Sequence, residues 1–197
     1  MRPLPFVWPY ALAFWVVYIW AFFPESKILR TGMEGAKAAD SRDSGSLRVL
    51  IGGMWIALLI AFGLSFVTAA KFRPSLQLPL FVAGVLLIFL GSLLRRYCFR
   101  TLGKYFTGDV RADASQPVIN TGPYALVRHP SYTAGIMMFA GIGLALGNWV
   151  SFLLVLIASI LTYIYRVSVE ERALLATIGE QYRIYMNGRK RFIPYVV

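Results

Sequence analysis

Apolar residues gather into five runs separated by polar, positively charged segments. The first, Phe6 to Phe23, carries Trp8, Trp15 and Trp20 and is closed by Pro24. The second goes from Leu47 to Ala70 and the third from Leu78 to Leu94. The fourth, Tyr132 to Leu146, is short and contains Gly135, Gly141 and Gly143; the fifth goes from Trp149 to Tyr165. One bilayer crossing takes about 20 apolar residues, so the pattern predicts an all-α, polytopic integral membrane protein with about five transmembrane helices. Only Gly147 and Asn148 separate runs four and five, which predicts a tight helical hairpin. The small residues of run four let its backbone approach a neighbour closely. The first run has only Arg2 before it, and Pro24-Glu25-Ser26-Lys27 follows instead of a small-residue cleavage site, so it reads as a retained span and not a signal peptide.

Beyond the fifth run the period changes. Val167 and Leu174 lie seven apart, and Leu174 or Leu175, Ile178, Tyr182 and Tyr185 follow at steps of three and four, a helix pattern. Gly179 inside it costs about 1 kcal/mol against alanine and marks a place for a kink; Gly188 and Pro194 end it. The fifth span is therefore expected to continue past the membrane as a cytoplasmic C-terminal helix. Segment 31–46, with Gly32, Gly35, Ala38, Ser41 and Gly45, reads as a loop.

Composition agrees. Of 197 residues, 58% are hydrophobic and 15% charged, against about 45–50% and about 25% in soluble domains, and the mean hydropathy is +0.62. This excludes a disordered chain and argues against an ordinary soluble domain. The net charge of +11 comes from 20 Lys and Arg against 9 Asp and Glu. Five of the basic residues lie at Lys27, Arg30, Lys37, Arg42 and Arg48. Six lie at Arg95, Arg96, Arg100, Lys104, Arg111 and Arg128, and six more from Arg166 to Arg191. With five spans these 17 share one side, leaving Arg2, Lys71 and Arg73 on the other. The positive-inside rule then puts the N-terminus outside and the C-terminus and active site in the cytoplasm. Contact with anionic lipid accounts for the charge, and no nucleic-acid partner is expected. Single Cys98 and His129 exclude an intramolecular disulfide and a His/Cys zinc cluster, and no metal site is expected.

Two places carry candidate chemistry. Thr121-Gly122-Pro123-Tyr124-Ala125-Leu126-Val127-Arg128-His129-Pro130-Ser131-Tyr132 contains Gly-Pro and His-Pro, which interrupt a helix at the membrane boundary. One reading is a helix start with Pro130 in its first turn and Arg128 reaching lipid phosphate. The other is a ligand pocket, in which backbone N–H groups and a helix start attract a polar or anionic group. The second place is Arg166 with Glu170 and Glu171. Arg166 and Glu170 share a helix face, either as an interfacial ion pair or as holders of an anionic and a cationic ligand. Glu171 points about 100° away. Arg95, Arg96, Arg100 and Lys104 read as a positive anchor after the third run.

The stretch Gln116 to Tyr124, then Arg128 to Tyr132, Asn148-Trp149, Arg166 with Glu170-Glu171, Gly179, Tyr182, Tyr185 and Pro194 resembles the isoprenylcysteine carboxyl methyltransferase family, over about residues 98 to 197. The resemblance implies an integral-membrane methyltransferase using S-adenosylmethionine, with residues 1–97 as three N-terminal transmembrane helices and 98–197 as the cofactor-binding and catalytic region. It implies cofactor contacts from Gln116, Pro117, Val118, Ile119, Tyr124, His129, Pro130, Ser131 and Tyr132, largely through backbone. Glu170 would hold polar groups of the cofactor, Arg166 would bind the substrate carboxylate, and these two form the catalytic pair. Many relatives carry His-x-Leu-Val at Gln116-Pro117-Val118-Ile119, and Pro117 removes a backbone donor. The implied acceptor is lipophilic, foremost a prenylated cysteine carboxylate; related enzymes act on phospholipid amines or small thiols. The rival classes are a membrane sterol or enone reductase using a nicotinamide cofactor and a non-enzymatic transporter or lipid-binding protein.

Overall fold

The computed structural model describes residues 2–35, 43, 45–106 and 117–193. Gln116 and Pro194 lie outside the described residues. Regular structure is helical: α1 Tyr10–Gly35, α2 Ser46–Leu64, α3 Pro74–Leu102, α4 Pro130–Ala145, α5 Trp149–Ile178 and α6 Glu180–Asn187. Helices α2, α3 and α5 are each long and apolar enough to cross a membrane, and α4 is a shorter apolar helix. The chain is an all-α, multi-pass membrane protein.

Helix α1 departs from the sequence expectation. Pro24 does not end it; the helix runs on to Gly35, into the segment expected to be loop. Proline lacks the N–H that would meet the carbonyl four residues back, here that of Trp20. Arg96 Nη2 donates to this carbonyl at 2.7 Å, and its guanidinium lies 4.2 Å from the centre of the Trp20 ring. A side chain of α3 thus satisfies the group that the proline leaves open, as membrane helices containing proline require.

Helices α3 and α4 pack closest. Gly84 faces Gly141 and Gly91 faces Met138 and Ala134, so the two backbones meet without side chains between them. Ile88, Met138 and Ile142 fill the adjoining core with Phe14, Leu146 and Val155. Helix α2 packs on α5 and α1 on α3, while the backbones of α1 and α2 stay apart and meet through Trp15 on Phe62. The turn between α4 and α5 is tied to the connection between α2 and α3. Phe72 N and Gln77 Nε2 both donate to the Gly147 carbonyl, at 3.1 and 3.0 Å, and Asn148 Nδ2 donates to the Leu64 carbonyl at 2.9 Å. Asn148 Oδ1 also caps α5 by accepting from Ser151 N.

At 30 residues, α5 is about 45 Å long, well beyond a hydrocarbon core of about 30 Å. Gly179, at φ 71°, ends it and opens α6 in a new direction; a left-handed backbone there suits glycine and few other residues.

The glycine contact sets the first test. A Cβ on Gly141 would stand 2.5 Å from the Gly84 carbonyl oxygen, whereas one on Gly63 meets nothing within 4 Å. Gly141→Ala should cost about 1–3 kcal/mol and Gly63→Ala nothing, measured by thermal unfolding in detergent.

Candidate active site

The polar side chains of the bundle converge where the last turns of α3, the start of α4 and residues 163–171 of α5 meet the C-terminal segment. Residues 117–129 reach α4 without a helix, through a short 3-10 turn at Gly122–Ala125, because Pro123 and Pro130 each restrict the residue before them. The turn is held from the other side. Arg128 N donates to the Lys190 carbonyl at 2.8 Å and His129 N to the Arg191 carbonyl at 2.9 Å. Thr133 Oγ1 donates to the Phe192 carbonyl, and the Tyr185 hydroxyl to the Tyr124 carbonyl at 2.7 Å. Burial pushes the Tyr185 phenol up to about 12, against the pull of Arg189 and Arg128, so it stays a donor at neutral pH. Residues 185–192 therefore strap the turn. The sequence marked this stretch only as a helix end.

Glu171 is 3% exposed and sits at the centre of the strap. Its Oε2 accepts from Arg191 Nη2 at 2.8 Å, and its Oε1 lies 3.1 Å from His129 Nε2 and 3.0 Å from Arg128 Nε. Glu170 faces elsewhere. Its side chain is 30% exposed, it accepts from the Tyr132 hydroxyl at 2.6 Å, and it lies 4.0 Å from His129 Nδ1. The rings of His129 and Tyr132 stack, with centroids 5.6 Å apart, and Tyr163 lies beyond them.

Arg166 is buried one turn before Glu170, and interacts with both the Tyr132 hydroxyl and the Glu170 carboxylate. Its Nη1 donates to Asp43 Oδ1 and to Ser46 Oγ. Asp43 in turn accepts from the Leu47 amide and the Ser46 hydroxyl, so one carboxylate both caps the start of α2 and pairs the arginine of α5. Burial alone would raise the Asp43 carboxyl, but the Leu47 amide, the Arg166 guanidinium and the Ser46 hydroxyl together hold it below the usual carboxylate range.

A second buried pair joins α1 to α3. Arg95 Nε and Nη2 donate to the two oxygens of Glu25, at 2.5 and 2.8 Å, and Nη1 donates to Ser131 O and Oγ at 2.9 and 2.8 Å. The signal was in the sequence. Phe81, Gly84, Ile88, Gly91, Arg95 and Cys98 are spaced by three and four and all are buried, which puts Arg95 on the packing face of α3. Arg96 and Arg100 lie off that face. Glu25 and Arg95 also line an apolar cavity of about 110 Å³, with Tyr18, Phe22, Met54, Leu58, Met138, Phe139 and Tyr163 among its other walls.

Of the other sequence candidates, Tyr124, Pro130 and Ser131 are buried, Val118, Ile119 and Tyr132 are half-buried and Pro117 is exposed. Among the described residues, the amides of Val118 and Ile119 donate to no protein group, whereas those of Arg128 and His129 are taken by the strap.

A sequence model for the phospholipid methyltransferase family matches residues 79–181, just over half of the chain. The chain belongs to that family. It is similar to protein-S-isoprenylcysteine O-methyltransferase B of Arabidopsis thaliana, 27% identical over 145 residues that cover 72% of this chain and 73% of the relative. It is also similar to the Schizosaccharomyces pombe protein-S-isoprenylcysteine O-methyltransferase, 27% identical over 161 residues covering 72% and 67%. Among solved structures it resembles the eukaryotic intramembrane Ras methyltransferase ICMT, with a TM-score of 0.59 and 25% identity over 78% of this chain. The match spans about half, 53%, of that solved chain. Membership of a methyltransferase family sets aside the reductase and transporter readings. The family window holds Arg95, the turn, Arg166, Glu170 and Glu171. Glu25, which pairs Arg95, and Asp43, which with Glu170 meets Arg166, come from outside it.

The two adjacent glutamates should separate cleanly. Removing one partner of a buried ion cluster costs about 3–5 kcal/mol, so Glu171→Ala should sharply lower the unfolding temperature in detergent. Glu170→Ala, at the half-open carboxylate, should leave it nearly unchanged.

Proposed function

We propose that this chain transfers a methyl group from S-adenosylmethionine to a lipophilic acceptor, foremost the carboxylate of a prenylated cysteine. The observation that carries the reading is the junction of an apolar cavity with a buried polar cluster, inside a chain of the phospholipid methyltransferase family. The cofactor pocket is formed by the turn and by α5. Val118 and Ile119 offer half-buried amides that meet no partner among the described residues, Gln116 and Pro117 precede them, and Glu170 presents an open carboxylate beside Tyr132, His129 and Tyr124. An acid with Tyr132 as its hydrogen-bond donor suits a cationic ligand that also carries hydroxyl and amino groups, so the residues present fit S-adenosylmethionine. Pro130 and Ser131 fix the start of α4 against that pocket.

Bound there, the cofactor supplies a sulfonium methyl already activated for displacement. The chain has to align the acceptor, exclude water and hold charge, which by orientation alone is worth about 7–11 kcal/mol. A carboxylate acceptor is already a nucleophile and needs no general base. Arg166 orients it, with Asp43 keeping the guanidinium in place until the acceptor arrives, and Glu170 holds the cofactor one turn away. The acceptor tail occupies the apolar cavity, which is somewhat smaller than the ~150 Å³ that accommodates benzene. It therefore takes about one isoprene unit, and the rest of the tail leaves between α1 and α2, where the helix backbones stay apart. A phospholipid amine is the second acceptor, favoured by the carboxylates of Glu25 and Asp43 that already neutralise both buried arginines.

Five crossings follow from the four apolar helices α2 to α5 with α1, the turn at Gly147 and Asn148 forming the tip of a hairpin. The N-terminus is outside and the active site cytoplasmic, which puts 17 of 20 basic residues inside. A cysteine introduced at Gly45 should resist an impermeant thiol reagent in intact cells; ready labelling would reverse the orientation.

Saturating S-adenosylhomocysteine, at a hundred times its Kd, should stabilise the detergent-solubilised protein by about 2.7 kcal/mol, and methyl transfer should follow with a prenylcysteine analogue. Arg166→Lys should keep cofactor affinity and lose most turnover, because lysine cannot present two parallel hydrogen bonds to a carboxylate. Methylation of phosphatidylethanolamine instead of the analogue would assign the second acceptor.

A further inference from the structure

We infer that Glu25 is a positioning residue for the cofactor turn, acting through Arg95 and Ser131. The inference rests on the reading that the turn borders the methyl-donor pocket.

The guanidinium of Arg95 is planar, and its donors point in fixed directions. Glu25 grips one edge of the plane through Nε and Nη2, which leaves the other edge, Nη1, aimed at Ser131. There Nη1 meets both the carbonyl and the hydroxyl of Ser131. Ser131 is the second residue of α4 and stands between Pro130 and Tyr132. Its neighbour Tyr132 donates to Glu170 and stacks on His129. A continuous set of contacts therefore runs from α1, through one arginine of α3, to the side chains that face the cofactor pocket. Glu25 is 9% exposed and Arg95 likewise.

A clamp that only joins helices would not need this chemistry. A buried ion pair is weak evidence for stability, since apolar residues of similar volume often do as well or better. The pair instead fixes the rotation of the guanidinium, and through it the height and angle at which α4 begins. Glu25 also lies directly after Pro24, whose open carbonyl partner at Trp20 is met by Arg96. Two successive arginines of α3 thus register α1 against the same end of the bundle. No residue of the family window supplies this carboxylate.

The test uses the full chain in detergent and reads unfolding temperature, S-adenosylhomocysteine affinity by calorimetry, and kcat and KM with a prenylcysteine analogue. The double variant Glu25→Leu with Arg95→Met removes the ions together and should unfold at or above the wild-type temperature, yet bind S-adenosylhomocysteine at least tenfold more weakly. Arg95→Lys keeps the charge opposite Glu25 but cannot also reach both acceptors of Ser131. It should hold the unfolding temperature within a few degrees and lose a similar factor in affinity, which keeps the inference testable if the double variant does not fold. Wild-type affinity in either folded variant overturns the inference. A raised acceptor KM with unchanged S-adenosylhomocysteine affinity also overturns it and makes Arg95 an acceptor-binding residue. If the wild type itself binds no S-adenosylhomocysteine, the functional reading fails first and the inference with it.

Discussion

A charge taken out of water beside hydrocarbon costs several kcal/mol unless a partner and hydrogen bonds meet it. This chain buries two guanidiniums, Arg95 and Arg166, at one end of an apolar bundle, and the arrangement of that end answers to them. Each is met by a carboxylate and a serine from another helix or its start, and Arg166 also by Tyr132 and Glu170. Glu25 and Ser131 meet Arg95; Asp43 and Ser46 meet Arg166. The partners come from three different places in the chain, α1, the start of α2 and the start of α4, so pairing the two charges also fixes α1 against α3, α3 against α4, and α2 against α5. What satisfies the charges is therefore what registers the helices.

The opposite end of the bundle is held by neutral groups. Gln77, Asn148 and the Gly147 carbonyl tie two connections together, and between the ends Gly84 and Gly141 let α3 and α4 touch backbone to backbone. Apolar packing gives no preference between lipid and protein inside a bilayer, so close van der Waals contact and internal hydrogen bonds supply the association. A helix pair this close has little freedom to slide. Arg95 follows Gly91 by four residues, about one turn along the same face, and is thereby carried to one fixed depth opposite Ser131.

The apolar runs and the helix-breaking turn were legible in the sequence, because run length and X-Pro steps are local signals. So was the Arg166–Glu170–Glu171 group, since helical spacing alone puts Arg166 and Glu170 on one face. The partners were not. Asp43 and Arg166 are 123 residues apart and Glu25 and Arg95 are 70 apart, and no periodicity links positions on different helices. The strap was hidden for a related reason: its bonds to Arg128 and His129 use backbone carbonyls of Lys190 and Arg191, which any residue could provide. Pro24 misled because the rule that proline ends a helix holds where the freed carbonyl has only its own helix to turn to. Here Arg96 reaches it from α3. Charge alone groups Arg95 with Arg96 and Arg100, whereas its spacing from Gly84, Ile88 and Gly91 assigns it to the buried face.

The same pairing bears on how the site discriminates. A guanidinium held bidentate by Glu25 offers an incoming carboxylate no unused fork, and a guanidinium shared between Asp43, Ser46 and Tyr132 offers one only by exchange. An anionic head must therefore replace an anion already present, like for like, so the charge on the guanidinium adds little net affinity. On the proposed function, attraction then comes from the apolar tail in the cavity, while the arginine supplies orientation. Acceptors that share the tail but differ in the head compete on geometry and not on charge. Both carboxylates that impose this come from the N-terminal part of the chain, outside the family window. On the proposed function, the orientation of the acceptor by Arg166 and the registry of α2 against α5 thus rest on the same acid, Asp43.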